Sequence, residues 1–173
     1  MITYSAAFDP YHTIYRMAHI VQRIEKGESF EVDRVRIWDF YLLFPDKLYG
    51  ITLKQDEQEL RDYRKAYITR IHNPYEYSGD NRTLLEWIKP FQLSALNCLV
   101  SYGILSKPLY LENRVSVLHR KTLNAFVAEA GKLSANESNT LSFLGMLSRN
   151  LPLTGASGLK ARTRLLESKY DAE

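Results

Sequence analysis

Residues 82–118 of the chain, RTLLEWIKPFQLSALNCLVSYGILSKPLYLENRVSVL, decide the predicted fold. In the first half of this stretch, apolar side chains recur at three- and four-residue steps, the spacing of one buried helical face. These residues are Leu84, Ile88, Phe91, Ala95, Leu99 and Tyr102. Pro90 lies inside the stripe and has no amide hydrogen to donate. The pattern therefore predicts a break near Lys89 and a second helix that starts at Pro90.

The second half of the stretch predicts a β-hairpin. Gly103 suits the left-handed residue that ends a helix. Beyond it, residues 104–111 and 114–118 alternate like two strands joined at Glu112 and Asn113. Helix, helix and hairpin in this order are typical of a winged helix. A winged helix holds a protein or nucleic-acid partner and carries out no chemistry of its own.

Helices are also predicted on both sides of this stretch. Three precede it and are expected to begin at Asp9 and Pro10, at Glu31 or Asp33, and at Asp56. Two follow it, at residues 122–131 and 136–150. The predicted fold is therefore mainly α with a small β-hairpin, in a single domain. Its parts are an N-terminal helical part (1–75), a winged-helix-like segment (82–121) and a C-terminal helical extension (122–173).

A charged helix is predicted to end the chain. Residues 151–158 carry the turn formers Pro152, Gly155 and Gly158. The basic residues that follow could meet a phosphate or a partner carboxylate, and they are the candidate partner-binding residues: Lys160, Arg162, Arg164 and Lys169. A solvated helix without a binding role explains the same charges equally well.

Composition excludes several classes of protein. Of 173 residues, 45% are hydrophobic and 25% are charged, which argues against disorder and fibrous repeats. The net charge of +3 is small for a dedicated nucleic-acid-binding protein. Cys98 is the only cysteine, so the chain has no internal disulfide and no zinc-binding cysteine pair. No segment is apolar enough for a membrane helix or a secretory signal, so we expect a cytoplasmic protein that does not contact a membrane.

Motifs for chemistry are missing from the sequence. The four histidines form no metal-ligand pattern, and the glycines near residue 155 fit neither a phosphate loop nor a nucleophile elbow. Asp39 lies in an apolar helix, and we expect it to form an ion pair with Arg36 one turn away. An unrecognised active site could lie around His12 and Asp9 or Asp39. We therefore expect neither an enzyme nor a bound cofactor or metal.

Four basic residues flank the predicted hairpin and are the candidate DNA-binding residues: Lys107, Arg114, Arg120 and Lys121. With Glu112 they give residues 107–121 a net charge of +3. Winged helices use such side chains on phosphates. Exposed hairpin edges also carry cations that prevent aggregation, and the sequence alone does not separate these two explanations.

Two segments together are similar to a known family. They are AFDPYHTIYRMAHIV at residues 7–21 and RIWDFYLLFPDKL at residues 36–48. Both resemble the middle components of bacterial ABC-three-component systems, the group that includes the third subunit of Lamassu-type defence complexes. The segments LVSYGILSKPLYLENRVSVL (99–118) and GLKARTRLLESKYD (158–171) are compatible with it, so the resemblance extends over residues 7–171.

The resemblance implies an accessory or scaffolding subunit without its own catalysis. Its partners would be an SMC-like ATPase and an effector, often a nuclease, in defence against phages or plasmids. ATP hydrolysis and cutting would belong to those partners. The alternative is a winged-helix protein that binds double-stranded DNA as a repressor or DNA sensor.

Overall fold

The computed structural model describes residues 5–70 and 79–166, and most of them lie in helices. The helices are α1 (Pro10–Gln22), α2 (Val32–Leu43), α3 (Gln58–Tyr67), α4 (Asn81–Ser101), α5 (Lys107–Leu111), α6 (Arg120–Ala130), α7 (Ala135–Ser148) and α8 (Leu159–Thr163). Short 3-10 helices span Ala6–Phe8 and Pro45–Gly50, and the strands are β1 (Phe30–Glu31) and β2 (Arg114–Val115). The predicted fold class, mainly α with a small antiparallel β element, is confirmed.

Local hydrogen bonds fix the starts of several helices. The Asp9 carboxylate accepts from the His12 amide at 2.8 Å, so Asp9 is the predicted N-cap of α1. The prediction that Asp56 caps α3 is wrong, because Glu57 precedes that helix. The Glu57 carboxylate accepts from the Lys54 amide at 2.7 Å and closes the preceding turn.

Helix α4 is continuous, and the predicted break near Lys89 is wrong. Pro90 lies inside the helix and is exposed. Its ring removes one backbone hydrogen bond, a loss of about 3 kcal/mol or more. Apolar side chains on both sides of it are buried, and each leucine or isoleucine among them stabilises the fold by about 1.5–3 kcal/mol. They are Leu84, Leu85, Ile88, Ala95, Leu96 and Leu99. Burial of the whole stripe therefore outweighs the defect at Pro90.

Gly103 ends α4 as predicted. Its φ of 72° places it in the left-handed region. The Ile104 amide donates to the Leu99 carbonyl at 3.0 Å, and the Gly103 amide donates to the Val100 carbonyl at 2.9 Å. These two bonds form a Schellman motif, which satisfies carbonyls that the helix end would leave unpaired.

The small sheet differs from the predicted hairpin. Strand β2 pairs antiparallel with β1, with Phe30 opposite Val115, and Leu105 forms an antiparallel bridge with Val117. The prediction that residues 104–111 form one strand is wrong, since Lys107–Leu111 is α5. Pro108 lies in the first turn of α5, where its fixed φ favours a helix. The winged-helix assignment stays a prediction.

The chain divides into two compact units, which we call the first and the second unit. The first contains Met1–Asp39 and Glu86–Leu133, and the second contains Phe40–Leu85 and Ser134–Glu173. In the first unit α1 packs against α6, and in the second α3 packs against α7. Buried large side chains of the first unit include Met17, Ile20, Trp38, Ile88 and Leu96; those of the second include Phe40, Leu48, Leu85 and Phe143.

A helix that crosses a bilayer needs about 20 consecutive, mostly apolar residues. Within the two described ranges, no helix combines that length with sufficient hydrophobicity.

Candidate functional site

The first unit contains an apolar groove with a cavity volume of about 650 Å³. Helices α1, α4 and α6 all contribute side chains to it. The lining residues include Tyr11, Tyr15, Cys98, Tyr102, Thr122, Phe126 and Ala130. Tyr11 is 84% exposed and Tyr102 is 74% exposed, so two aromatic rings at the groove face solvent.

Hydrogen bonds hold α1 beside α6, and side chains of both helices line the groove. The His19 Nε2 donates to the Gly131 carbonyl at 2.9 Å, and the Tyr15 hydroxyl donates to the Lys132 carbonyl at 3.0 Å. Arg120 donates from Nη1 to the Gln22 carbonyl at 2.9 Å. Side-chain bonds therefore fix both ends of α6 to α1.

A further bond places the end of α4 beside the start of α6. The His119 Nδ1 donates to the carbonyl of Gly103 at 2.7 Å. Gly103 is the residue that ends α4, so this bond joins the two elements at their termini. The groove is thus bounded by three elements whose relative positions depend on specific polar contacts.

The surface around the groove is aromatic and has few charges. Residues 90–106 contain no charged side chain, and Arg16 is the only charged residue in α1. Phe8 and Phe91 make an edge-to-face contact with ring centroids 5.8 Å apart. Aromatic enrichment and depletion of charge are properties of the cores of protein–protein interfaces.

Arg16 does not add charge to this surface, because it is buried against Asp39. Its Nε lies 2.6 Å from Asp39 Oδ1, and its Nη2 donates to Oδ2 at 3.3 Å. Nη1 also donates to the Ala6 carbonyl at 2.9 Å and to His12 Nδ1 at 2.9 Å. The prediction that Asp39 pairs with Arg36 is therefore wrong.

Gln92 connects Asp39 with Arg36. Its Nε2 donates to Asp39 Oδ2 at 2.9 Å and to the Arg36 carbonyl at 3.1 Å, while its Oε1 accepts from Arg36 Nε at 3.1 Å. The Arg36 guanidinium also reaches Asp33 and Glu86, each at 3.1 Å. Two buried arginines of the first unit are thus tied to carboxylates within one polar network.

The four predicted DNA-binding residues do not form one free basic patch. Arg114 donates from Nε to Ser29 Oγ at 2.7 Å and from Nη2 to the Ser29 carbonyl at 2.8 Å. Arg120 donates to backbone carbonyls near the end of α1, as described above. Lys107 and Lys121 are exposed. Both guanidiniums are therefore engaged within the fold, whereas the two lysines face solvent.

The predicted partner-binding residues are also largely withdrawn from the surface. Arg162 is buried, and its Nη1 contacts Glu57 Oε1 at 2.7 Å and Oε2 at 2.9 Å. Lys160 is buried as well. Arg164 is exposed with a φ of 56° and ends α8, and Lys169 lies outside the described residues. A solvated charged helix is therefore the wrong description of Leu159–Thr163.

The residues considered for catalysis have structural partners. Asp9 caps α1, Asp39 is fully buried against Arg16, and His12 accepts from Arg16. Among the described residues, no group of three or more His, Cys, Asp or Glu side chains could hold a metal ion.

The groove itself was not predicted from the sequence. The signal that could have indicated it lies on α6, where Thr122, Phe126 and Ala130 recur at four-residue steps beside the core residue Leu123. Such spacing shows that the three share a helix face. It does not show that α1 and α4 leave this face uncovered.

Comparison with known proteins identifies the family. Residues 2–171 match the family model described as ABC-three component (ABC-3C) system Middle Component 5. Searches of curated proteins and of solved structures found no match. The matched range covers nearly the whole chain and agrees with the resemblance of its N-terminal segments to middle components. The chain therefore belongs to the Middle Component 5 family of ABC-three component systems.

Proposed function

We propose that the protein is a non-catalytic accessory subunit that joins an SMC-like ATPase to an effector nuclease in defence against phages or plasmids. A middle component of a multi-component system has partner proteins, so family membership supports the proposal that this chain binds other proteins. The observation that carries the proposal is the aromatic, nearly uncharged groove surface of the first unit. Such a surface suits another protein better than a phosphate backbone.

The proposed absence of catalysis has separate support. Asp9, His12 and Asp39 are engaged in contacts that stabilise α1 and its neighbours. A general acid or base must be able to reach a substrate proton. Asp39 has no exposed surface, so it could not do so without disrupting its ion pair with Arg16.

Co-purification tests the proposed subunit role. The tagged chain is co-expressed with the products of its neighbouring genes, purified at about 0.1 M and about 0.5 M salt, and analysed by mass spectrometry. Apolar contacts are not screened by salt, so an ATPase and an effector should be retained at both concentrations. A chain that purifies alone under both conditions would contradict the proposal.

DNA binding is the second candidate function, and two observations favour it. Lys107 and Lys121 are exposed, and both lie in the first unit. That unit also contains α1, β1, parts of α2 and α4, α5, β2 and α6 in chain order, with residue 105 bridged to 117 and β2 paired with β1. Helices beside a small antiparallel sheet also occur in a winged helix, although the two helices and the hairpin predicted within residues 82–121 are replaced by α4, α5 and β2.

Salt dependence of duplex binding tests this second function. Contacts with phosphates weaken steeply as salt rises, and each lysine lost should reduce the slope by about one. Affinity of the Lys107→Ala/Lys121→Ala double variant is compared with that of a Lys65→Ala control in the second unit. No detectable binding at low salt, or equal binding by the double variant, would remove DNA binding as a function of this surface.

A further inference from the structure

We infer that the groove of the first unit receives an amphipathic helix from a partner protein of the complex. One face of that helix would be apolar, and acidic residues would flank it. This inference rests on the proposed function and names the surface that performs it.

The shape of the groove follows α6. Thr122, Phe126 and Ala130 line it at four-residue steps, so the strip along α6 is about 12 Å long at 1.5 Å per residue. Two turns of a docked helix match this length, and its side chains at i and i+4 would enter the groove. The volume of about 650 Å³ lies within the usual range for sites that enclose a ligand.

The backbone around the groove accepts a helix and disfavours a strand. Its walls are the side chains of α1, α4 and α6, whose peptide groups bond within their own helices. Ile104, which also lines the groove, donates its amide to Leu99, and its carbonyl accepts from Leu118 and His119. Strand addition needs unpaired amides and carbonyls, and the lining residues present no sheet edge.

Exposed charges next to the α6 lining residues favour an acidic partner. Lys121 immediately precedes the lining residue Thr122, and Lys132 follows the lining residue Ala130 by two positions. Both lysines are exposed, as is Glu129. The exposed charges next to the α6 lining residues in the sequence are therefore two cations and one anion, and acidic residues beside the apolar face of a docked helix would complement them. Such rim charges set orientation and association rate more than affinity.

A second copy of the chain is a poorer occupant. The chain has a net charge of +3, so as a whole it complements the lysines beside the groove less well than an acidic helix would. We therefore treat self-association as an alternative outcome of the test.

Cys98 provides a reporter within the groove. It is the only cysteine of the chain, it is half-buried, and it lines the groove. A docked helix should shield it from N-ethylmaleimide. A shielded thiol reports occupancy of this surface directly, independently of how much partner is recovered.

The experiment combines thiol protection with groove variants. The full chain is co-expressed with its neighbouring gene products, and the alkylation rate of Cys98 is compared in the complex and in the isolated chain. We expect a decrease of more than about tenfold in the complex. The Tyr11→Glu/Tyr102→Glu double variant should lower partner recovery by more than about tenfold, because aromatic anchors would become carboxylates facing an acidic helix. Both tyrosines are exposed, so the fold should tolerate the change.

Tyr67→Glu is the matched control. Tyr67 is 54% exposed and lies on α3 in the second unit, so the same chemical change is made away from the groove. This variant should retain its partners. A photo-crosslinker attached to Cys98 should then label a partner peptide with apolar residues at three- and four-residue steps and with neighbouring Asp or Glu.

Other results would overturn the inference in distinguishable ways. If partners co-purify but Cys98 stays reactive and the double variant still binds, the groove is not the docking site while the proposed function stands. If the wild-type chain retains no partner, the proposed function itself fails. If protection of Cys98 depends only on the concentration of the isolated chain, a second copy occupies the groove.

Discussion

Arg16 and Asp39 form a buried ion pair in which Nε lies 2.6 Å from Oδ1 and the side chains are 1% and 0% exposed. Arg16 lies on α1 and Asp39 on α2, so the pair links helices that are distant in sequence. The Ala6 carbonyl and Gln92 provide further hydrogen-bond partners. Buried charges are tolerated when their remaining donors and acceptors are satisfied in this way.

The first prediction concerns removal of one partner of this pair. Asp39→Leu should lower the free energy of unfolding by about 3–5 kcal/mol, because the Arg16 charge would stay buried without a counter-ion. The double variant Arg16→Met/Asp39→Leu should recover most of this loss, since no uncompensated charge remains. Urea unfolding measures both changes.

Glu112→Gln is the control for this experiment, because Glu112 is exposed and its replacement should change stability by no more than about 0.5 kcal/mol. A double variant as unstable as Asp39→Leu alone would show that packing, rather than the unpaired charge, causes the loss.

The second prediction concerns Pro90 in the continuous helix α4. Pro90→Ala restores an amide that can donate to the carbonyl four residues earlier, and alanine has the highest helix propensity. Because the Pro90 side chain is exposed, its loss leaves no cavity. The free energy of unfolding should therefore rise by about 3 kcal/mol, measured by urea or thermal unfolding. A fall in stability would mean that the helix geometry at Pro90 is required by its surroundings.

Local features of the fold were readable from the sequence, and long-range ones were not. Asp9 caps α1 and Gly103 ends α4 through hydrogen bonds between residues within five positions of each other, so both roles can be predicted from the local sequence. The partner of Asp39 is different, because Arg36 is one turn away and the observed partner, Arg16, is 23 positions away. The sequence pattern favours Arg36 as the partner of Asp39, whereas the packing of α1 against its neighbours makes Arg16 the partner.

The candidate site was missed for a related reason. Phe126 on α6 has the helical spacing of a core residue, but it is half-buried and lines the groove. A helix pattern identifies an apolar face, while a groove depends on which neighbouring helices leave that face uncovered. Likewise, Arg162 gave no sign in the sequence that it binds Glu57, which lies 105 positions earlier.

The third prediction compares two glycines with different backbone angles. Gly103 has a φ of 72°, so Gly103→Ala should lower stability by about 1–2 kcal/mol through strain in the left-handed region. Gly145 lies inside α7, and a methyl group added to its Cα would meet no atom within 4 Å outside the adjacent backbone of its own helix, so Gly145→Ala should raise stability by about 0.5–1 kcal/mol. Thermal unfolding of the two variants tests this. Equal effects of the same sign would contradict the assignment of strain to Gly103.

The fourth prediction concerns the acid stability that Glu57 provides. Burial opposes ionisation of Glu57, but hydrogen bonds from Arg162 and from the Lys54 amide outweigh it, and the pKa of this carboxyl is lowered from its ordinary value of 4.5. A carboxyl with a lowered folded-state pKa stabilises the fold above its ordinary pKa and loses that contribution as the pH falls through the lowered value. Glu57→Gln should therefore reduce the free energy of unfolding at pH 7 by about 1.5–3 kcal/mol, the range for a hydrogen bond to a charged group.

The difference between wild type and Glu57→Gln should shrink as the pH falls below 4.5, because protonation of Glu57 then weakens the same contact in the wild type. Urea unfolding at pH 7, 5, 4 and 3 measures this difference. Glu59→Gln is the control, since Glu59 is an exposed glutamate two positions away in α3. Its effect should be small at every pH. A Glu57→Gln difference that stays constant across this range would show that Arg162 is held by geometry rather than by the charge of Glu57.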